Sequence, residues 1–237
     1  MADENERGKQ IQSQWHAPKT SASDMWEQKR RLAAAMRLVM ERLVPSSAPV
    51  EELGAAADGL ERYAERLKKH PRLSHFQGYA ESATAGDVGA FFDQSPMIGL
   101  ANPLAPPISL AKAGDRSAEG WVTFGSAYEG APGCVHGGFV AAAFDEVLGF
   151  VQSLSGSPGF TGTLTVRYRN PTPLHTELHF QCELLRTERR KIFTEGRVLA
   201  GDLLCAEAEA IFVSAKPGKF DDLMEKRQRL EDRFSRS

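Results

Sequence analysis

The chain has 237 residues, 41% hydrophobic and 25% charged, a globular make-up that excludes wholesale disorder and bounds it to one large domain or a smaller domain with an extension. Twenty-nine basic against 31 acidic residues leave a net charge of −2, so no global basic field recruits nucleic acid or an anionic membrane. No run approaches the roughly 20 apolar residues of a membrane span, and the polar start MADENERGKQIQSQ does not read as a secretory signal. Three cysteines (Cys134, Cys182, Cys205) without CxxC spacing fit a reducing compartment, so a cytoplasmic protein is expected.

In chain order, residues 1–20 carry few apolar side chains and read as a flexible terminus. A helical hairpin is predicted over residues 21–75. Ser23-Asp24 stands as N-cap before a segment in which Met25, Leu32, Met36, Val39 and Leu43 recur at helical spacing. The run Pro45-Ser-Ser-Ala-Pro49 breaks that helix, and VEELGAAADGLERYAERLKK forms a second one that ends before His70-Pro71. The basic residues here are interspersed with glutamates and read as charged, solvated outer faces of an accessory pair packed on a larger domain. Residues 76–107, rich in Gly, Ser and Pro, form an irregular linker.

From residue 108 to 215 the periodicity changes. ISLAKAG and GWVTFGSA read as a strand pair turning at Gly114-Asp115-Arg116. The loop YEGAPGCVHGG precedes FVAAAFDEVLGFVQSL, which is apolar on nearly every side and therefore reads as a buried helix. Three strand-like runs follow: GTLTVRY with Leu164, Val166 and Tyr168 alternating, ELHFQCELL with Leu178, Phe180, Cys182 and Leu184 alternating, and a long run that turns or bulges near Gly201-Asp202. Residues 216–237 are a charged tail. The fold class is α+β: an antiparallel sheet wrapped around one long helix, the hotdog architecture, with an N-terminal helical extension. One helix cannot cover both faces of such a sheet, so at least a dimer is expected.

Within the buried helix Asp145 is out of place, since a carboxylate is rarely buried there unless paired or functional. It is the candidate general base or nucleophile. Ahead of it, His136-Gly137-Gly138 lies where unsatisfied N–H groups and the positive end of the helix dipole converge, a ready donor to a developing oxyanion. His136 and Asp145 are nine positions apart, about 13 Å of helix rise, so one chain cannot readily present both ends to one carbonyl. Two helices packed antiparallel across a two-fold axis bring Asp145 of one subunit towards Gly137 of the other.

HGGFVAAAFDEVLG resembles the HGG-x(6)-D signature of hotdog-fold acyl-CoA thioesterases of the PaaI-like, thioesterase superfamily type. YEGAPGCVHGG, SPGFTGTLTVRYRNPTPL and TERRKIFTEGRVLAGDLLCAEAEAIFV extend the resemblance over roughly residues 100–215. It implies an acyl-CoA hydrolase in which Asp145 is the catalytic carboxylate, the Gly137 N–H polarises the thioester carbonyl, and His136 shapes the loop. It further implies that Thr161 carries a water-orienting hydroxyl and that Gly138, Arg167, Arg169, Asn170, Arg190 and Lys191 hold coenzyme A, which is substrate rather than cofactor. Gly130 departs from relatives that carry an Asn there. In an unbroken strand Thr161, Arg167 and Arg169 share one face, with about 20 Å between Thr161 and Arg167, the scale of a pantetheine arm.

His175 and His179, four apart with no third ligand in view, do not make a metal site, and neither HExxH, P-loop, GxGxxG nor GxSxG is present. Cys134 borders the loop without an identifiable base and reads as a packing residue. Two readings from other classes stand beside hydrolysis: a non-catalytic acyl-CoA-binding or regulatory protein, and a hotdog hydratase or dehydratase. Acyl-chain length, and a dimer as against a tetramer, are not legible.

Overall fold

The computed structural model describes residues 24–70, 93–157 and 159–214, with residue 226. The expected flexible start, most of the expected linker and, apart from residue 226, the charged tail lie outside the described residues. Helices α1 (Asp24–Leu43) and α2 (Val50–Lys68) fall on either side of the Pro45–Pro49 break. Ser23 itself is outside the described residues, and Asp24 and Glu27 place negative charge in the first turn of α1, where the helix dipole favours it.

The face that α1 turns inward is not the apolar one. Met25, Leu32, Met36, Val39 and Leu43 are all exposed, and the one buried residue of α1 is Ala33. The inward contacts are polar: Arg30 grips Asp93 with bonds of 2.6–2.9 Å, Arg37 donates to the Asn102 and Leu100 carbonyls, and Glu41 accepts from Ser126. The expectation that charge marks the solvated side is therefore overturned for α1. The reason is its partner: α1 meets loops with open carbonyl and amide groups rather than an apolar sheet face, and those groups need charged side chains to satisfy them. Helix α2 has no buried residue.

Strands β1 (Ser109–Lys112) and β2 (Ser117–Thr123) pair antiparallel through the expected turn, where the Ala113 and Gly114 amides donate to the Ser117 carbonyl. A single 3₁₀ turn (Ser126–Tyr128) leads to α3 (Gly137–Ser153). Strands β3 (Gly159–Tyr168), β4 (Glu177–Glu188), β5 (Lys191–Ala200) and β6 (Leu203–Ser214) complete a six-stranded antiparallel sheet in the order β1-β2-β4-β5-β6-β3. The long last run is thus a hairpin, with Gly201 taking a φ of +57° between its arms.

The sheet curls around α3, the hotdog arrangement. Leu178, Phe180, Cys182 and Leu184 of β4 all point at the helix, as their alternation predicts, and Phe180 meets Phe144 edge-on at 5.1 Å. On β6 the core row is Ala206, Ala208 and Ala210, small side chains that let the helix lie close. The helix is not buried all round. Val140, Ala143, Phe144, Val147, Leu148 and Val151 are covered, while Asp145 lies on an exposed flank beside β3, the last strand of the sheet.

Candidate active site

The loop before α3 is built to deliver its first turn. Gly133 takes a φ of +74°, its N–H donates to Glu129 Oε1 at 2.7 Å, and Glu129 bridges back to Val135. That reversal sets His136 at the N-cap of α3, with its N–H donating to the Tyr128 carbonyl at 2.9 Å. His136 Nδ1 accepts the Gly138 N–H at 3.0 Å, so one of the open donors of the helix start is satisfied by the protein itself. Gly138 therefore has no amide to offer a ligand. The Gly137 N–H has no partner among the described residues, and the Gly137 carbonyl accepts the Tyr168 hydroxyl at 2.7 Å.

A groove of about 500 Å³ opens over this corner, lined by Val135, His136, Gly137, Tyr168, Arg169 and Asn170 among others. Gly130 also lines it, and a Cβ there would stand 2.7 Å from His136 Cα. A side chain at this position therefore requires the loop to shift, which accounts physically for the departure noted at Gly130.

Asp145 is eight positions beyond Gly137, about 12 Å along the helix, and it does not line the groove. Its Oδ1 accepts the Thr161 hydroxyl at 2.7 Å. This contact depends on a β-bulge. Thr161 pairs with Phe212 and Thr163 with Ile211, leaving Gly162 as the extra residue. The bulge turns Thr161 to the face that Leu164, Val166 and Tyr168 present to α3.

The same bulge overturns the expectation that Thr161, Arg167 and Arg169 share a face, which holds only in an unbroken strand. Arg167 lies on the outer side of the sheet and pairs with Glu209 at 2.6 Å; Arg169 pairs with Glu207 at 2.7 Å while still edging the groove. Asn170 lines the groove and donates to the Leu204 carbonyl at 2.8 Å. Arg190 is anchored on the Ser214 carbonyl at 3.1 and 2.7 Å, and Lys191 opens β5 opposite Val213 with no partner among the described residues. Val213 also pairs with Phe160, so Arg190 and Lys191 stand at the start of β3, and Arg169 and Asn170 stand beyond its end. A ten-residue strand separates these sets by about 33 Å. One chain does not bring them together.

Three groups were missed by sequence reasoning. Tyr168 was read only as a core-alternating residue, although its hydroxyl ties β3 to the start of α3. Glu146 faces away from Asp145 into the segment around Ser95; burial, and then the neighbouring Asp145 charge, push its carboxyl from 4.5 up to about 7, against a Ser95 hydroxyl bond that lowers it. The adjacent acidic pair was its only signal. Glu41 reaches Ser126 across 85 positions of sequence, which no local pattern reveals. The two histidines go separate ways, His175 towards Glu41 and Ser126 and His179 stacked on Trp121.

A sheet wrapped round one helix, with an open amide at the helix start and a hydroxyl-bound carboxylate on its exposed flank, defines a hotdog-fold protein. Residues 132–212 match the family model of the thioesterase superfamily. A thioesterase superfamily protein of known crystal structure is 32% identical, with a TM-score of 0.70 over 78% of this chain and 94% of its own. The chain belongs to the thioesterase superfamily. That overlap is wider than the sheet and its helix alone, so it takes in part of the chain before β1. Among curated relatives, acyl-coenzyme A thioesterase THEM4 of Xenopus laevis is 34% identical over 91 residues, which are 38% of this chain and 41% of that protein. The Mus musculus THEM4 is 32% identical over 93 residues, 38% of this chain and 40% of that protein. Human acyl-coenzyme A thioesterase THEM5 is 36% identical over 69 residues, 29% of this chain and 28% of that protein. The matches thus span about two fifths or less of these relatives' length. No helix among the described residues is long and apolar enough to cross a membrane.

Proposed function

We propose that this chain is an acyl-CoA thioesterase that hydrolyses the thioester to a free carboxylic acid and CoA. The observation that carries the reading is the Asp145–Thr161 pair: a carboxylate fixed at one oxygen by a hydroxyl, with Oδ2 left unpartnered among the described residues. In the proposed reaction Asp145 takes a proton from water as the water oxygen attacks the thioester carbon. The Gly137 N–H, aided by the helix dipole, stabilises the oxyanion that develops. Collapse of the tetrahedral intermediate breaks the carbon–sulfur bond, and the proton returns to the departing thiolate. Direct attack by Asp145, through an acyl-enzyme anhydride, is the alternative route. Single turnover in ¹⁸O-water tests for it: label in the Asp145 carboxylate requires an anhydride opened by water at the Asp145 carbon, whereas general-base attack puts the label in the released acid alone.

The site is composite in this reading. Gly137 and Asp145 of one chain do not face one carbonyl, and neither do the two cation sets. A two-fold partner joined along β3 supplies the missing half of each. Thiol trapping of released CoA over a panel of acyl chain lengths tests the activity. Hydrolysis that falls at least about 10²-fold in Asp145→Ala, with CoA binding kept, supports the reading. Saturable acyl-CoA binding without CoA release is the outcome of a non-catalytic binding protein and overturns it, as does hydration of an enoyl chain without CoA release.

A further inference from the structure

Helix α1 lies outside the stretch that matches the family model, yet it is keyed into the loop that carries the groove. The key is Glu41. Its Oε2 accepts the Ser126 N–H at 2.7 Å and its Oε1 accepts the Ser126 hydroxyl at 2.9 Å. Gly125 makes room for that carboxylate, since a Cβ built there would lie 2.1 Å from Glu41 Oε2. His175 closes a third side, with Nε2 3.3 Å from Ser126 Oγ and Nδ1 3.7 Å from Glu41 Oε1. To reach this position His175 adopts a φ of +54°, a conformation costly for a non-glycine residue, held by its N–H on the Phe124 carbonyl at 2.8 Å. A carboxylate, a glycine whose missing Cβ leaves room for that carboxylate, and a strained histidine therefore converge on one peptide.

From that peptide a short chain of backbone bonds leads to the site. The Gly125 carbonyl accepts the Tyr128 N–H at 3.0 Å, the Tyr128 carbonyl accepts the His136 N–H at 2.9 Å, and His136 caps the helix beside Gly137. The Tyr128 ring meanwhile packs edge-on against Phe139 in the first turn of α3, at 4.9 Å. By contrast α1 adds little to the hydrophobic core, because Ala33 is its one buried residue.

We propose that Glu41 is a positioning residue for the thioester site: by holding the Ser126–Tyr128 turn it fixes where the Gly137 N–H points. This rests on the reading of that N–H as the group that polarises the substrate carbonyl. An aim fixed at the oxyanion acts on the transition state more than on the bound substrate, so the effect belongs in kcat and not in KM.

The test compares full-length wild type with Glu41→Ala, Glu41→Gln, Gly125→Ala and the Glu41→Ala/Gly125→Ala double variant, by steady-state kinetics on one acyl-CoA. Peptide-level hydrogen exchange over residues 126–140 gives a readout that does not need turnover. The expected result is a kcat lowered about tenfold or more in Glu41→Ala, since small misplacements of an aligned group are costly, with KM within about twofold. Glu41→Gln, which keeps an acceptor for the Ser126 N–H, should recover most of the loss. Gly125→Ala should imitate Glu41→Ala, and the double variant should be no worse than either single one. Exchange over residues 126–140 should rise in the same variants while β4–β6 stay protected. Unchanged kcat with active wild type overturns the proposal, as does a kcat loss that tracks lowered melting temperature and raised exchange throughout the sheet. If wild type releases no CoA from any substrate, the thioesterase reading fails; the exchange arm then decides alone, and unaltered exchange in Glu41→Ala overturns the latch.

Discussion

Asp145 and Glu146 are consecutive carboxylates with opposite surroundings, and their different tasks follow from that. Asp145 is exposed in the single chain and holds a hydroxyl, whereas Glu146 is turned into the protein beside Ser95. Burial and the Asp145 charge both disfavour the ionised form of Glu146 and raise it to about 7. A carboxyl that binds its proton more tightly when folded stabilises the fold fully below its ordinary value of 4.5. That contribution is lost as pH rises through about 7, and is on the order of 3 kcal/mol at 1.36 kcal/mol per unit. Glu146→Gln, which cannot ionise, should therefore gain melting temperature relative to wild type on going from pH 5 to pH 8. Parallel melting curves for the two proteins across that range would show that Glu146 is not held protonated by the fold.

At the scale of elements, β3 decides which side chains meet the site. Its bulge at Gly162 turns Thr161 to α3 and leaves Arg167 on the far side of the sheet, already paired with Glu209. In the single chain Arg167 is thus turned from the face that carries Thr161 and paired with Glu209, while Lys191 is exposed and unpartnered among the described residues. Lys191→Glu should raise KM for acyl-CoA about tenfold, the scale of one charge-assisted bond, and leave KM for a short acyl-pantetheine thioester unchanged. Arg167→Gln should move neither by more than about twofold. If Lys191→Glu affects both substrates alike, the cation acts on the fold and not on the nucleotide. Gly162 was the one signal of the bulge, since a glycine inside a strand often marks one, but only the pairing with Ile211 and Phe212 shows that it is the extra residue. The alternation in β4 and the break at Pro45–Pro49 were legible because each follows from local chemistry, and the HGG-x(6)-D signature was legible through a family resemblance. The orientation of α1 was not, since its apolar stripe points away from the domain and its anchors, Asp93, Leu100, Asn102 and Ser126, lie 63 to 85 positions away.

For the whole molecule, the proposed reaction requires the Gly137 corner and the Asp145–Thr161 pair to meet at one substrate. In a single chain they stand about 12 Å apart on one helix, with only the first facing the groove. β3 ends the sheet, and Tyr168, whose hydroxyl secures Gly137, is still 53% exposed. A long strand left at a sheet edge is a template for another strand, and pairing two β3 strands antiparallel sets the Thr161 end of one against the Tyr168 end of the other. In the site proposed above, such a pairing would draw the carboxylate from one chain and the amide from the other. Two inactive variants, Asp145→Ala and Gly137→Val, should therefore rescue each other: in a mixed dimer one site carries both lesions and the other carries none. Mixing under subunit exchange should restore up to about half of wild-type activity per heterodimer. A Cβ at Gly137 would lie 3.2 Å from the Tyr168 hydroxyl, so Gly137→Val must keep the wild-type circular dichroism and melting temperature to count as a lesion of the amide alone. Heterodimers that form by native mass spectrometry and release no CoA would show that each chain carries its own complete site.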